Sequence, residues 1–436
     1  MRQLTAPRTR TTAFLLLVCL FAFLLRLLVM GLGGTYRVVE DDTDHFGFGW
    51  EMGRVARSLA NGEGFSSPLP EPTGPTAIVG PVYPLLLASV FKVFGVYSTA
   101  SSIAIRILQS LFASLTCLFI YLGARDSAGE SAGKLAAIFW SVFPLNIFFT
   151  VTKTWETSLT ALLASALFWY MLRHYRSLSI SSWAGAGVLL GLAALTSTSL
   201  VVLILPFGIA ALVVNRTRAL LPTTVGALVC LAVVSPWMIR NHGVFGKYTL
   251  RTNFPLEFRI GNNEWSYGQK IEALHPSNNP EVNRHWQQVG ELKFMAEESQ
   301  ANAQFVHTQP GRFAFSTINR IVNYWTGAWI KPIAGYSNSS AVIIPASLLS
   351  IAGFLGILTM FRSGSSSAFM FAGCLLLYPI AYYLTTTQPR FYHAMTPLIV
   401  ISGTLWVCDA WKKIAVHRTG KGNPTSPSAA NLKETA

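Results

Sequence analysis

Charge is scarce in this chain. Asp, Glu, Lys and Arg make up 12% of its 436 residues, against about 25% in an average soluble domain. Acids are scarcer than bases, 19 against 33. Cysteine is also sparse: Cys19, Cys117, Cys230, Cys374 and Cys408 all stand inside apolar blocks and form no CxxC pair. That pattern excludes a zinc framework, a redox motif and a disulfide-stapled ectodomain. A phosphate loop is missing too, because Gly31-Leu32-Gly33-Gly34 fits no phosphate-binding pattern and reads as a flexible helix end.

Apolar residues, by contrast, are abundant at 51% and come in blocks. A bilayer core takes about 20 apolar residues per helix. Ten segments qualify: 12–31, 101–123, 135–152, 155–173, 182–197, 199–215, 219–238, 341–361, 367–386 and 394–412. The polar Thr196-Ser197-Thr198-Ser199 turn divides the fifth from the sixth. The fold class expected is an all-α polytopic membrane protein of about ten transmembrane helices. The first segment, with 19 or so apolar residues, exceeds the roughly 7–15 of a signal-peptide h-region and reads as an anchor.

Lys and Arg of short loops mark the cytoplasmic side. Arg2, Arg8 and Arg10 precede the first helix, and Arg125, Lys134, Arg173, Arg176, Arg216, Arg218, Arg362, Lys412 and Lys413 fall on the same side by alternation. The opposite short loops hold only Lys153 and Arg390. Both termini are expected in the cytoplasm, and the net charge of +14 reads as topology, with no nucleic-acid partner. The expected organisation is a bundle over 1–238 with a first outer loop at 32–100. An outer helical loop at 239–340, the C-terminal transmembrane helices at 341–412 and a disordered cytoplasmic tail at 413–436 follow. No cytoplasmic loop is long enough to fold, so chemistry belongs to the outer face.

The first outer loop opens with Glu40-Asp41-Asp42-Thr43-Asp44-His45. Crowded carboxylates raise one another's pKa, which suits a general base or a cation site; a solvated acidic turn is the alternative. Residues 48–64 read as an amphipathic interfacial helix, with Trp50, Met52, Val55 and Leu59 on its apolar face and Glu51, Arg54 and Arg57 on the polar one. A second helix, from Pro84 to Gly95, is too short to span. In the last outer loop, helices are expected over 280–308 and from Pro310 to Trp325. Within the first span, Arg26 is expected to snorkel to the interface.

In this order, the acidic cluster, the interfacial helix with its Gly62-Glu63-Gly64 end, Pro81-Val82-Tyr83-Pro84-Leu85-Leu86 and Phe91-Lys92-Val93-Phe94-Gly95 resemble the GT-C class of membrane glycosyltransferases. That class includes protein O-mannosyltransferases and the aminoarabinose transferase of lipid A. Pro236-Trp237-Met238-Ile239-Arg240-Asn241, Gly261-Asn262-Asn263 and Gln388-Pro389-Arg390-Phe391-Tyr392-His393 are similar to later markers of its bacterial members. One departure stands out. Many relatives carry a D-E pair where this chain has Phe48-Gly49; here the acids come earlier, and Glu51 sits on the helix.

The resemblance implies an inverting transferase that takes a sugar from a polyprenyl-phosphate carrier and passes it to an unnamed acceptor at the outer face of a bacterial inner membrane. Transfer needs a base for the acceptor and cations for the leaving phosphate. Asp44 is the first candidate base, then Asp42 and Asp41, with Glu51 behind them. Glu156 is either a second acid across the cavity or a complement to its helix dipole. Arg390, then Arg240, with Lys153 and His393, are candidates for the donor phosphate or interfacial anchors. Substrate contacts are assigned to His45, Tyr83, Asn262 and Trp325; Trp286, Tyr324 and Trp329 are further candidates for sugar stacking or interfacial anchoring. The cofactor is none or a divalent cation, held in the second case by Asp42, Asp44 and Glu156. Two other classes compete: a lipid-linked sugar transporter or flippase, and an O-antigen-type ligase or polymerase.

Overall fold

The structure, a computed structural model, describes residues 6–38, 46–330 and 338–419. The candidates Asp41, Asp42, Asp44 and His45 lie outside the described residues. Among those described there is no strand, only an isolated antiparallel bridge between Ser66 and Pro75.

Helix α1 (Ala6–Gly33) leads into the first outer segment with α2 (Glu51–Ala60) and α3 (Val82–Phe94). The bundle continues with α4 (Thr99–Ala128), α5 (Glu130–Val142), α6 (Pro144–Thr152), α7 (Thr157–His174), α8 (Ile180–Thr196), α9 (Ile204–Asn215) and α10 (Leu220–Phe245). A second outer segment holds α11 (Phe254–Gly261), α12 (Pro280–Val289), α13 (Glu291–Thr308) and α14 (Pro310–Thr326). The chain then returns through α15 (Ser340–Arg362), α16 (Ala368–Leu377), α17 (Ile380–Leu384) and α18 (Pro389–Thr419).

The chain is a multi-pass membrane protein. By length and composition, five helical stretches among the described residues can cross a bilayer, or six if α5 and α6 count as one bent span. Each of the ten expected segments falls on helix, but several are shorter or more broken than a simple span. The α5–α6 break turns the axis by 48° at Pro144, which lacks the N–H that would continue α5. Thr198–Phe245 runs as one helical stretch interrupted at Arg216, where φ is +53°. Against the expectation for the tail, α18 continues to Thr419.

Two cores hold the molecule. The larger fills the bundle, from Val18 and Ala22 through Trp140, Phe168 and Phe371 to Ile399. There α15 presses on α18 so closely that a Cβ on Gly356 would overlap the Ser402 carbonyl. The smaller core joins Phe48, Met52 and Val55 of the first outer segment, with Tyr83 and Phe91, to Leu256, Ile260, Trp286, Phe294 and Met295 of the second. At about 1.5–3 kcal/mol per buried apolar side chain, this packing makes the two outer segments one layer. Glu291, at the start of α13, fastens it by accepting from Thr76 Oγ1 at 2.6 Å, the Ala77 N–H at 3.0 Å and Thr252 Oγ1.

Two expectations change here. Arg26 does not snorkel: it is fully buried and donates to the Ala22 and Ser141 carbonyls at 2.8 and 3.2 Å. Arg54 does not face water from a polar helix side; it is buried and donates to Pro68 O and Ser277 Oγ. The cause is the same in both cases. A neighbouring segment supplies acceptors that the helix's own sequence does not reveal.

Candidate active site

Where the outer layer meets the bundle lies a cavity of about 520 Å³. Its wall takes Trp50 and Glu51 from the start of α2, Glu156 from the start of α7, Ser197–Ser199, Arg251, Glu257 of α11, Lys270, and Arg390 and Phe391 from the start of α18. Helix beginnings therefore converge on one space.

Each reaches it for a local reason. Gly49 adopts φ +94° and sits where a Cβ would overlap the Thr154 carbonyl; Trp50 follows at φ +52°, turning the chain sharply into α2. Thr154 Oγ1 and the Arg106 guanidinium both donate to the Gly47 carbonyl, at 2.8 and 3.3 Å. The strand of chain after residue 45 is thus pinned beside Lys153-Thr154-Trp155-Glu156. Phe46 meets the Trp155 ring edge-on at 6.4 Å and the Lys153 ammonium at 5.2 Å.

Polar atoms on this wall are underused. Glu156 stands at the N-cap of α7 without capping it, and its Oε2 has no hydrogen-bond partner among the described residues. Thr198 Oγ1 and Arg390 Nε are likewise buried without partners there. Arg390 and Lys153 flank the Trp155 ring at 4.6 and 5.7 Å, and neither makes an ion pair among the described residues. Burial, and next the nearby Arg106 charge, lower the pKa of Lys153. Buried polar groups are normally hydrogen-bonded, so these atoms keep capacity for a further partner.

Glu51 behaves differently. Its Oε1 lies 3.2 Å from His275 Nε2. Burial alone would raise its pKa, but the His275 hydrogen bond and the nearby Lys270 charge outweigh it and bring it down to about 2. A carboxylate so acidic is a poor base, since efficient bases have a pKa near the working pH.

The remaining candidates lie elsewhere. Arg240 is not on the cavity wall: its guanidinium donates to Thr76 O, Phe65 O and Asn241 Oδ1 at 2.7–2.9 Å. His393 is buried, stacked on Trp140 at 5.6 Å, and borders a separate void of about 20 Å³. Tyr83 donates to Gln109 Oε1 inside the protein. Asn262 is saturated by Phe258 O, Leu384 O and Arg320. Trp325 donates to Tyr383 Oη, while Trp286, Tyr324 and Trp329 are buried; none of these four lines the large cavity. Lys270, Arg251 and Glu257, which line the cavity, and His275, which meets it only through Glu51, carried no sequence signal, because they are brought there across long stretches of chain.

Among the described residues no group of three or more His, Cys, Asp or Glu side chains is placed to hold a metal ion.

Residues 76–239 match the family described as dolichyl-phosphate-mannose-protein mannosyltransferase. No curated protein sequence matches. Among solved structures, the archaeal oligosaccharyltransferase AglB from Archaeoglobus fulgidus, in complex with an inhibitory peptide and a dolichol-phosphate, aligns with a TM-score of 0.60 at 16% identity. That alignment covers 99% of this chain and 53% of that one. The same enzyme tethered to an acceptor peptide containing the NVT sequon aligns at 0.59 and 15%, covering 95% and 52%. ArnT from Cupriavidus metallidurans, bound to undecaprenyl phosphate, aligns at 0.39 and 14%, covering 93% and 81%.

The chain therefore has the GT-C fold, and the family matched over 76–239 is one of glycosyltransferases. It spans about half the length of the archaeal proteins it resembles.

Proposed function

We propose that this protein is an inverting glycosyltransferase that moves a sugar from a polyprenyl-phosphate carrier to an acceptor at the outer face of a bacterial inner membrane, with both termini cytoplasmic. The observation that carries this reading is the cavity in which an unpartnered carboxylate oxygen, on Glu156, and an unpartnered guanidinium nitrogen, on Arg390, share one wall. The matched family and the lipid-phosphate bound to AglB support the donor class.

In this reading Arg390 and Lys153 hold the donor phosphate. Arg offers a planar fork that fits phosphate oxygens; Arg390 is on the cavity wall, and Lys153, which is not, shares the Trp155 ring with it at 5.7 and 4.6 Å. Asp44 is the base. In sequence it stands two residues before Phe46, which touches Trp155 and Lys153. The acceptor's hydroxyl or phosphate oxygen attacks the anomeric carbon and its proton passes to the carboxylate. The bond from that carbon to the phosphate oxygen breaks, and its electron pair leaves with the carrier phosphate. Attack from the face opposite the leaving group inverts the centre.

Asp42, Asp44 and Glu156 are the residues that would hold a divalent cation, and the free oxygen of Glu156 fits that use. Such an ion would neutralise charge on the departing phosphate. Chelation of the purified protein tests it: lost transfer, restored by Mg²⁺ or Mn²⁺, is expected if the ion takes part, and undiminished transfer removes it.

The test of the whole reading is turnover of radiolabelled polyprenyl-phosphate sugars by protein in lipid nanodiscs, beside Asp44→Asn. Loss of label from one carrier, reduced about 10²–10⁴-fold in the variant, is expected. Binding without turnover, equal in both proteins, would assign the cavity to a transporter instead.

A further inference from the structure

The Glu51–His275 pair remains unused by the transfer step, and its construction is specific. His275 comes from the segment between α11 and α12 and is buried. The Ser277 N–H donates to its Nδ1 at 3.1 Å, so Nδ1 is an acceptor and the ring proton sits on Nε2. That Nε2–H points at Glu51 Oε1, 3.2 Å away. The imidazole lies flat on the Trp50 ring, at 5.1 Å and 19°, and Lys270 Nζ stands 4.9 Å from the same ring. Tautomer, ring plane and donor direction are all fixed by residues of the outer layer.

A tie between two loops would be a sufficient purpose if the carboxylate were spent on it, as Glu291 is. Glu291 is buried and takes three donors on its two oxygens. Glu51 is one-fifth exposed at its side chain, lines the cavity, and receives His275 on one oxygen. An ionised carboxylate offers about four acceptor sites, so it keeps capacity for a ligand. Lys270 does not consume it, being paired with Glu272 at 3.0 Å.

The charge of Glu51 narrows what that ligand is. A fixed carboxylate repels a phosphate and accepts from hydroxyls; Arg390 stands over Trp155, whereas Glu51 meets His275, which stacks on Trp50 with Lys270 near the same ring. Resting on the transferase reading, we propose that His275 positions Glu51 to accept hydrogen bonds from hydroxyl groups of the sugar on the donor. The pair is then the element of the cavity that tells a sugar-bearing carrier from a bare one. His275 is a positioning residue here; Glu51 is the group that touches substrate.

The test is equilibrium binding, in nanodiscs, of bare polyprenyl phosphate and of a polyprenyl-phosphate sugar panel, with label turnover measured in parallel. Wild type is set beside Glu51→Gln, His275→Phe, His275→Gln and the double variant Glu51→Gln/His275→Phe. Phe keeps the stack on Trp50 and loses the N–H; Gln keeps an amide N–H. Glu51→Gln and His275→Phe are each expected to weaken the preferred sugar-bearing carrier about ten-fold, the scale of a lost charge-assisted hydrogen bond. Bare polyprenyl phosphate should change less than about two-fold, His275→Gln should recover most of the affinity, and the double variant should be no worse than either single one. Equal weakening of bare and sugar-bearing carriers would mark the pair as a loop tie and overturn the proposal, as would an unchanged sugar preference in Glu51→Gln. A wild type that turns over no sugar-bearing carrier and prefers none over the bare lipid would instead bring down the transferase reading, and this inference with it.

Discussion

The outer half of this protein holds two sets of buried or half-buried charges that look alike in sequence and differ in how their hydrogen bonds are spent. At the junction of α11, α14 and α17, Arg320 donates to Tyr383 O, Gly261 O and Asn262 Oδ1 at 2.6–2.9 Å. Arg240 and Glu291 are equally occupied, by backbone carbonyls in one case and by Thr76, Thr252 and Ala77 in the other. Around the cavity, Glu156 Oε2 and Arg390 Nε have no partner among the described residues. Leaving a buried polar group unmade costs about 1–3 kcal/mol, a cost that Arg320, Arg240 and Glu291 avoid and that a binding site recovers when its ligand arrives. Unpartnered atoms alone do not mark a site, since Arg26 and Arg106 carry them away from the cavity; Glu156 and Arg390 differ in carrying theirs on its wall.

The sharpest way to break that comparison is to remove a saturated group. Arg320→Ala strands three buried acceptors and is expected to destabilise the protein by about 3 kcal/mol or more, read as a lower melting temperature in detergent; an unchanged melting temperature would show that the junction does not depend on it. Glu156→Gln should do the reverse. With its Oε2 free of partners among the described residues, it should leave the melting temperature alone while transfer falls about ten-fold or more, so a stability loss without an activity loss would move Glu156 to the scaffold side.

The smallest effect concerns pH. Glu51 is held at about 2, below its ordinary 4.5, so the folded state favours the ionised form. The stability from its contact with His275 is complete above the ordinary value and is lost as pH falls from there towards 2. Unfolding followed across that window should show Glu51→Gln flattening the acid slope relative to wild type. An identical slope would mean the contact contributes nothing.

Much of the architecture was legible in the sequence because apolar run length is a local property: the ten segments land on helices, and Pro310–Thr326 starts at the proline that marked it. Breaks were less visible. Pro144 bends α5–α6 by 48°, although the apolar run 135–152 reads straight through it, and Gly290 at φ +78° divides what composition presents as one helix. For the site, Glu156, Lys153 and Arg390 were readable because each stands at a helix end in a short loop. Arg240, Asn262 and Tyr83 sit in equally suggestive motifs, yet their partners, such as Phe65 and Thr76 for Arg240, lie far along the chain and turn them into scaffold. His275 was invisible for the same reason, since nothing near it in sequence announces Glu51.

The most direct measurement is the affinity of a polyprenyl phosphate, in nanodiscs, for wild type, Arg390→Ala and Arg240→Lys. Arg390→Ala should weaken binding about ten-fold or more, as expected for a lost charge-assisted contact, while Arg240→Lys stays within about two-fold because its arginine never faces the lipid phosphate. Wild-type affinity in Arg390→Ala, or a loss confined to Arg240→Lys, would contradict the account.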